Sequence, residues 1–347
     1  MWTVRDDGAQ DPELLGPLLE LLETPAGDDL PGEVRCWLLV ALFREVEGVD
    51  DARAAAASAE AVELARAGDD DRLRCLALNV RAYCALGPDL AAEREALARE
   101  YRAAAERHPD HRAVAHWLLF LAASARTDLV AAREHVDTAV ALAGGGQLGH
   151  LLGALHIFSG ALLVLAGRAD EGQARYEAEA ARLAESGAMN GGLMALVGRF
   201  VAGFARGDLS GARPDLEWLH GAMSGALTDT VVLARLDAGA VGPAREAWAV
   251  RRPVARDYYW LATTTLRAHA AARLGDLGVA RGVYAELLPW AGRVAGLDNG
   301  TLVVGPVDDA LAAVADAVGD PAAAAAHRRS AAALRRELAA QLAAVGL

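Results

Sequence analysis

LGHLLGALHIFSGALLVLAGRADEGQARYEAEAARLAES, residues 148–186, is the stretch on which the fold reading turns. Its first half is apolar around the full helical circumference, and its second half is rich in Ala, Glu and Arg, which favour helix. Gly167 separates them. Glycine reaches the left-handed conformation at a helix end more cheaply than any other residue, so the stretch predicts two helices, 148–166 and 168–186, folded back on each other. The turn also recurs: Gly48, Gly87, Thr127, Gly167, Gly207, Gly239, Gly275 and Gly319 are spaced by 39, 40, 40, 40, 32, 36 and 44 residues. Five residues past the turn stands a small residue, Ala92, Ala132, Gly172, Ala212, Ala244, Ala280 or Ala324, with Arg53 as the exception. A large side chain there would separate two helices that cross closely. A helix breaker at such a period, between Ala- and Leu-rich segments, is the signature of stacked helical hairpins.

The chain therefore reads as all-α, a single right-handed solenoid over residues 1–347 of about eight hairpins. An opening helix spans 12–23, capped by Asp11 with Pro12 in its first turn. The helix pairs fall within 33–66, 71–107, 111–143, 148–186, 190–223, 226–250, 257–294 and 301–343. No segment alternates in the manner of a sheet.

Composition narrows function by exclusion. The formal charge is −13 and there is no Lys, so every side-chain cation other than His is Arg. An acidic chain without a basic stripe is poorly suited to direct nucleic-acid contact, which draws on phosphate neutralisation. The missing Lys excludes Schiff-base chemistry and a phosphate-loop lysine within these residues. One Ile and three Asn indicate a GC-rich, actinobacterial genome. Cys36, Cys75 and Cys84 form no pairing pattern and read as free thiols in a reducing, cytoplasmic setting. No signal peptide is visible in MWTVRDDGAQDPE. Residues 144–167 lack Asp, Glu, Arg and Lys over 24 positions. Their three leading glycines, two histidines and place in the 40-residue register favour a buried helix over a membrane span.

Most chemical motifs fail on context. Gly144-x-Gly146-x-x-Gly149 follows a helix rather than a strand, so the dinucleotide reading lacks its βαβ unit. His108, His111 and His116 have no companion Cys or HExxH, and Pro109 puts the first two in a loop. No Ser or Cys sits in a nucleophile elbow. Arg133, Arg213, Arg245 and Arg281, six past their turns, read as surface charges paired with neighbouring repeats. No cofactor and no metal is expected.

The turn, the Ala five residues later, Tyr176 and Tyr284 nine past their turns, Gly160 seven before and Trp37 eleven before together resemble the tetratricopeptide repeat, in a long-helix, MalT-like version. YYWLATTTLRAHAAARLGDLGVARGVYAELLPWAGRVAG (258–296), GPVDDALAAVADAVGDPAAAAAHRRSAAAL (305–334) and DDDRLRCLALNVRAYCALGPD (69–89) resemble the repeat region of large actinobacterial LuxR-type and SARP-type regulators. That resemblance implies a ligand-sensing or protein-interaction module in transcription or signalling control. It also implies a concave face lined by the first helix of each pair, at 13, 10, 6, 3 and 2 residues before each turn. Arg35, Arg74 and Arg81 then give a cationic end, and Trp117, Leu121, Ile157, Val164, Met194, Val201 and Phe204 an apolar middle. Asp229, Asp237, Thr265, His269 and Asp309 make an acidic end, with Tyr259 and Trp260 in the densest aromatic cluster. Apolar residues at helical spacing also fit a plain core. A helix apolar all round must nevertheless bury every face or cover something. The expected occupant is an apolar or aromatic small molecule or a partner protein's helix, with no membrane partner and with oligomerisation open. The alternatives are an accessory protein or enzyme that holds a hydrophobic metabolite, and a scaffold for protein assembly.

Overall fold

The computed structural model describes residues 11–24, 29–143, 148–185, 191–222 and 227–347, without the side chains of 149, 150 and 191. The Gly144–Gly146 run and Ser186-Gly187 lie outside them. The protein is all-α: 80% helical, with 17 α-helices among the described residues. Two compact units divide the chain, residues 1–122 with 135–148 and residues 123–134 with 149–347.

The first unit is built on α1 (Pro12–Glu23), α2 (Gly32–Val46), α3 (Asp51–Ala67), α4 (Asp71–Cys84) and α5 (Ala91–Ala104). Most of α6 (Pro109–Ala125) and the end of α7 (Leu129–Ala143) complete it. Asp11, Asp50 and Asp70 cap their helices by accepting backbone N–H bonds in the first turn, which satisfies donors that a helix leaves orphaned. From α1 to α5 each helix packs on the next, and α2 also touches α4. Phe43, Leu78, Tyr101 and Phe120 are the bulk of its core. Cys36 and Cys75 are buried and Cys84 half-buried, all three free.

The second unit runs through α8 (Gly149–Leu165), α9 (Ala169–Glu185), α10 (Gly191–Arg206), α11 (Arg213–Ala222), α12 (Thr228–Asp237), α13 (Val241–Ala249), α14 (Trp260–Leu274) and α15 (Leu277–Leu287). It ends with α16 (Val307–Ala317) and α17 (Pro321–Ala344). From α17, Gln341 Oε1 accepts the Leu129 N–H at 2.7 Å and so caps α7.

Seven of the eight turn residues carry positive φ: Gly48, Thr127, Gly167, Gly207, Gly239, Gly275 and Gly319. From Thr127 to Gly319 each closes its helix by the same pair of bonds. At Gly167, for example, the Gly167 N–H reaches Val164 O and the Arg168 N–H reaches Leu163 O, both at 2.9 Å. This double closure satisfies the last helical carbonyls. Gly87 differs: its φ is −61, and a 3₁₀ turn, Pro88–Leu90, follows. The extra turn shifts the register, so Ala92 is exposed, whereas Ala132, Gly172, Ala212, Ala244, Ala280 and Ala324 are buried. At Gly172 a methyl group would meet the Gly160 carbonyl at 2.8 Å.

Thr127 holds the left-handed conformation with a β-branched side chain, at φ 64, and its Oγ1 is buried without a hydrogen bond. That backbone region costs a non-glycine residue about 1–2 kcal/mol, against roughly 0.5–1 kcal/mol of extra chain entropy lost by glycine. The orphaned hydroxyl adds about 1 kcal/mol or more. Thr127→Gly is therefore expected to stabilise the protein by about 1 kcal/mol. An unchanged or lowered urea midpoint would refute this account of the turn.

The expected helices over 276–294 and 301–318 are interrupted. α15 ends at Leu287 in a 3₁₀ turn, Leu288–Trp290, that contains Pro289. A two-residue antiparallel pair then forms, β1 (Val294–Ala295) with β2 (Gly305–Pro306), and α16 begins only at Val307. Gly292, Gly296, Gly300 and Gly305 all adopt positive φ here, which a helix cannot accommodate.

Candidate functional site

In the second unit, the C-terminal ends of α8, α10, α12 and α14 surround a cavity of ≈ 580 Å³. Each helix delivers residues just before its turn: Val164 and Leu165, Phe204 and Ala205, Leu233 and Asp237, His269 and Arg273. The segment 303–306 supplies another wall, with Asp309 from α16 and Arg335 and Leu338 from α17. On these four alternate helices those lining residues stand two, three or six positions before Gly167, Gly207, Gly239 and Gly275.

The charges on the walls are paired. Arg273 Nη1 donates to Asp237 Oδ1 at 2.7 Å, and Asp237 Oδ2 accepts the Leu209 N–H at 2.8 Å. Arg335 donates to Asp309. Burial raises the Asp309 pKa, with Arg335 acting against it. The Phe204 ring meets the His269 ring edge-on at 5.6 Å. Burial, and then the Arg273 charge, push His269 down to about 4, so it is a neutral imidazole at physiological pH. The cavity therefore offers an apolar surface, two neutralised ion pairs, and a neutral ring that can donate at one nitrogen and accept at the other.

Of the residues expected to line a groove, Phe204, Asp237 and His269 meet here, joined by Val164 and Asp309. The others lie elsewhere. Arg74 pairs with Asp71 at 3.2 Å and donates to Gly68 O, and Arg81 pairs with Glu93. Trp117 is buried 6.3 Å from the Tyr83 ring, and Leu121 is fully buried. These four belong to the first unit. Ile157 and Val201 are fully buried, while Met194 is half-buried and outside the cavity lining. Trp260 is buried against Trp290 at 5.7 Å, with Arg256 stacked on it. Tyr259 stays exposed beside Tyr258. Asp229 pairs with Arg267, and Thr265 Oγ1 donates to Leu261 O at 2.7 Å.

Sequence reasoning passed over Arg273, although it stands two before Gly275, the offset that selects Asp237 before Gly239. Arg335 and the 303–306 wall had no comparable signal. Among the early histidines, His111 Nδ1 lies 2.7 Å from the Tyr101 hydroxyl, and His116 and His135 bring ring nitrogens within 3.2 Å. Among the described residues no helix is long and apolar enough to cross a membrane. No protein-family model, curated protein or solved structure matches the chain.

The depressed histidines make a pH prediction. His111, His116 and His269 fold with pKa values of about 4, against roughly 6.5 in an unfolded chain. The unfolded state then binds protons between those values while the folded state does not. Their contribution is fully present above about pH 6.5 and is lost as pH falls towards 4. His269→Gln should make the fall of unfolding free energy near pH 5 shallower by about 1.4 kcal/mol per pH unit. Superimposable pH profiles for variant and wild type in urea titrations would contradict a neutral, enclosed His269.

Proposed function

We propose that the chain is a TPR-like ligand-sensing module, and that its cavity takes a small, uncharged, apolar or aromatic molecule with one hydrogen-bonding group. The observation that carries this reading is the neutral His269 ring on an apolar wall whose four charged side chains are already paired. A ligand bringing its own charge would face compensated ion pairs and gain little. A flat apolar body would pack on Phe204, Leu233, Val304 and Leu338 and meet His269 with its polar group. The volume falls in the range of small-molecule sites, roughly 300–1,000 Å³.

A solenoid arrangement is part of the proposal, supported by the six identical helix closures and by helices that pack on the next in sequence. The cavity walls come from helices far apart in the chain. A bound molecule would favour one arrangement of these ends over another, which is how a sensor converts binding into a population shift. The likeness to regulator repeat regions supports a place in transcription or signalling control, with the ligand changing what the module contacts.

Indole supplies the test, since it has a flat apolar body and a single N–H. Calorimetric titration should give one site per chain. Ala205→Trp, a change at an exposed position on the lining, should fill the cavity mouth and weaken indole at least tenfold, while Trp218→Ala on α11 leaves it unchanged. Equal affinity for all three proteins would refute the assignment.

A further inference from the structure

A second cavity, of ≈ 590 Å³, opens between the loop after α13 and the facing sides of α14 and α15. Arg251, Arg252, Arg267 and Glu286 are its charged lining residues, and Pro253, Val254, Val279 and Val283 its apolar ones. Two arginines are already engaged. Arg267 Nε donates to both Asp229 oxygens at 3.1 Å, and its Nη2 donates to Arg252 O at 2.6 Å. Arg251 stacks on Trp248, donates to Trp248 O and faces Asp276 at 3.6 Å.

What remains is one cation and one anion. Arg252 and Glu286 form no ion pair, with each other or with any other described residue. A third group points to a ligand. Thr264 lines the same cavity, is 1% exposed, and its Oγ1 has no hydrogen-bond partner. Its neighbours Thr263 and Thr265 both bond back to their own helix. A buried hydroxyl left unpaired is destabilising, and an incoming acceptor would relieve that cost. Thr264 and Arg267 lie three residues apart on α14, hence on one face.

We infer that this cavity binds a zwitterionic amino acid with an apolar side chain. The carboxylate would lie at Arg252 with the Thr264 hydroxyl, the ammonium at Glu286, and the side chain on Val254, Val279 and Val283. Because one free charge of each sign lines the site, a simple anion would meet Glu286 and a simple amine would meet Arg252. This site is separate from the His269 cavity and does not depend on it.

L-leucine is the probe, with hexanoate as a carboxylate of the same carbon number and no ammonium, and isoamylamine as leucine without its carboxylate. Nuclear magnetic resonance titration of the full chain should shift amides within residues 249–286, with leucine tighter than either analogue. Arg252→Gln and Glu286→Gln, both at exposed positions, should each weaken leucine about tenfold, and Glu286→Gln should leave hexanoate unharmed. Thr264→Val should raise the unfolding temperature of the unliganded protein and yet weaken leucine. Leucine binding indifferent to all three substitutions, or hexanoate binding tighter than leucine, would overturn the inference. So would leucine shifts confined to the His269 cavity.

Discussion

Gly296→Ala will cost at least about 4 kcal/mol, among the largest single-residue effects a folded chain shows. A methyl group on Gly296 would lie 1.7 Å from Leu302 O and 2.7 Å from the carbon that bears it. Both are backbone atoms, so no rotamer can relieve the contact. The residue also sits at φ +83, which adds about 1 kcal/mol for any side chain. Relief would require opening the β1–β2 pair and losing the bond from the Val304 N–H to Ala295 O. That segment carries Val303, Val304, Gly305 and Pro306 on the cavity wall, so indole binding should be lost with it. Gly292→Ala isolates the conformational part, since Gly292 has φ +77 but nothing within 4 Å of its would-be methyl. It should cost only about 1 kcal/mol. Thermal unfolding of the two variants checks the contrast. Equal losses would mean that backbone conformation, and not the close approach to Leu302, makes Gly296 obligatory.

Gly198→Ala is expected to destabilise nearly as much, by about 3 kcal/mol. Its methyl group would stand 2.3 Å from Tyr176 Cβ and 2.7 Å from Cγ. Tyr176 cannot retreat. It is completely buried, and its hydroxyl donates to Thr301 O at 2.5 Å. At Gly160 the nearest atoms are the far ring edge, at 2.8 and 3.0 Å, and the Gly172 carbonyl, at 3.1 Å. A ring edge yields more readily than a Cβ, so Gly160→Ala should cost less than Gly198→Ala. Gly192→Ala meets nothing within 4 Å and should be neutral or mildly stabilising. Overpacking of this kind typically costs 1–3 kcal/mol, occasionally more. Urea midpoints that fail to rank Gly198, Gly160 and Gly192 in this order would contradict the wedge role of Tyr176.

How much of this was legible in the sequence depends on whether the cause was local. The helix closures were legible because one residue in the left-handed conformation dictates each of them, and even Thr127 betrayed its turn through spacing alone. Gly87 did not follow, because the adjacent Pro88 starts a 3₁₀ turn that the repeat rhythm conceals. The composition of 276–294 and 301–318 favours helix at both ends of the gap between them, yet the first stops at Leu287 and the second starts only at Val307. The left-handed Gly292 and Gly305 are the physical reason those inner ends are not helical.

At the site, Phe204, Asp237 and His269 followed from their distance before a turn, which fixes how deep each sits on its helix. Trp117, Leu121, Ile157, Val201 and Trp260 satisfied an apolar helical pattern equally well as core, and as core they are found. Arg335 approaches from the last helix and pairs with Asp309 across 26 positions of chain. No period within one repeat encodes such a contact.

Native mass spectrometry of the purified chain and its Ala205→Trp variant, each supplied with indole, decides whether the cavity beside His269 binds. One indole-sized adduct per chain is expected on the wild-type protein and none on the variant. Adducts of equal occupancy on both, or none on either, would contradict a binding cavity beside His269.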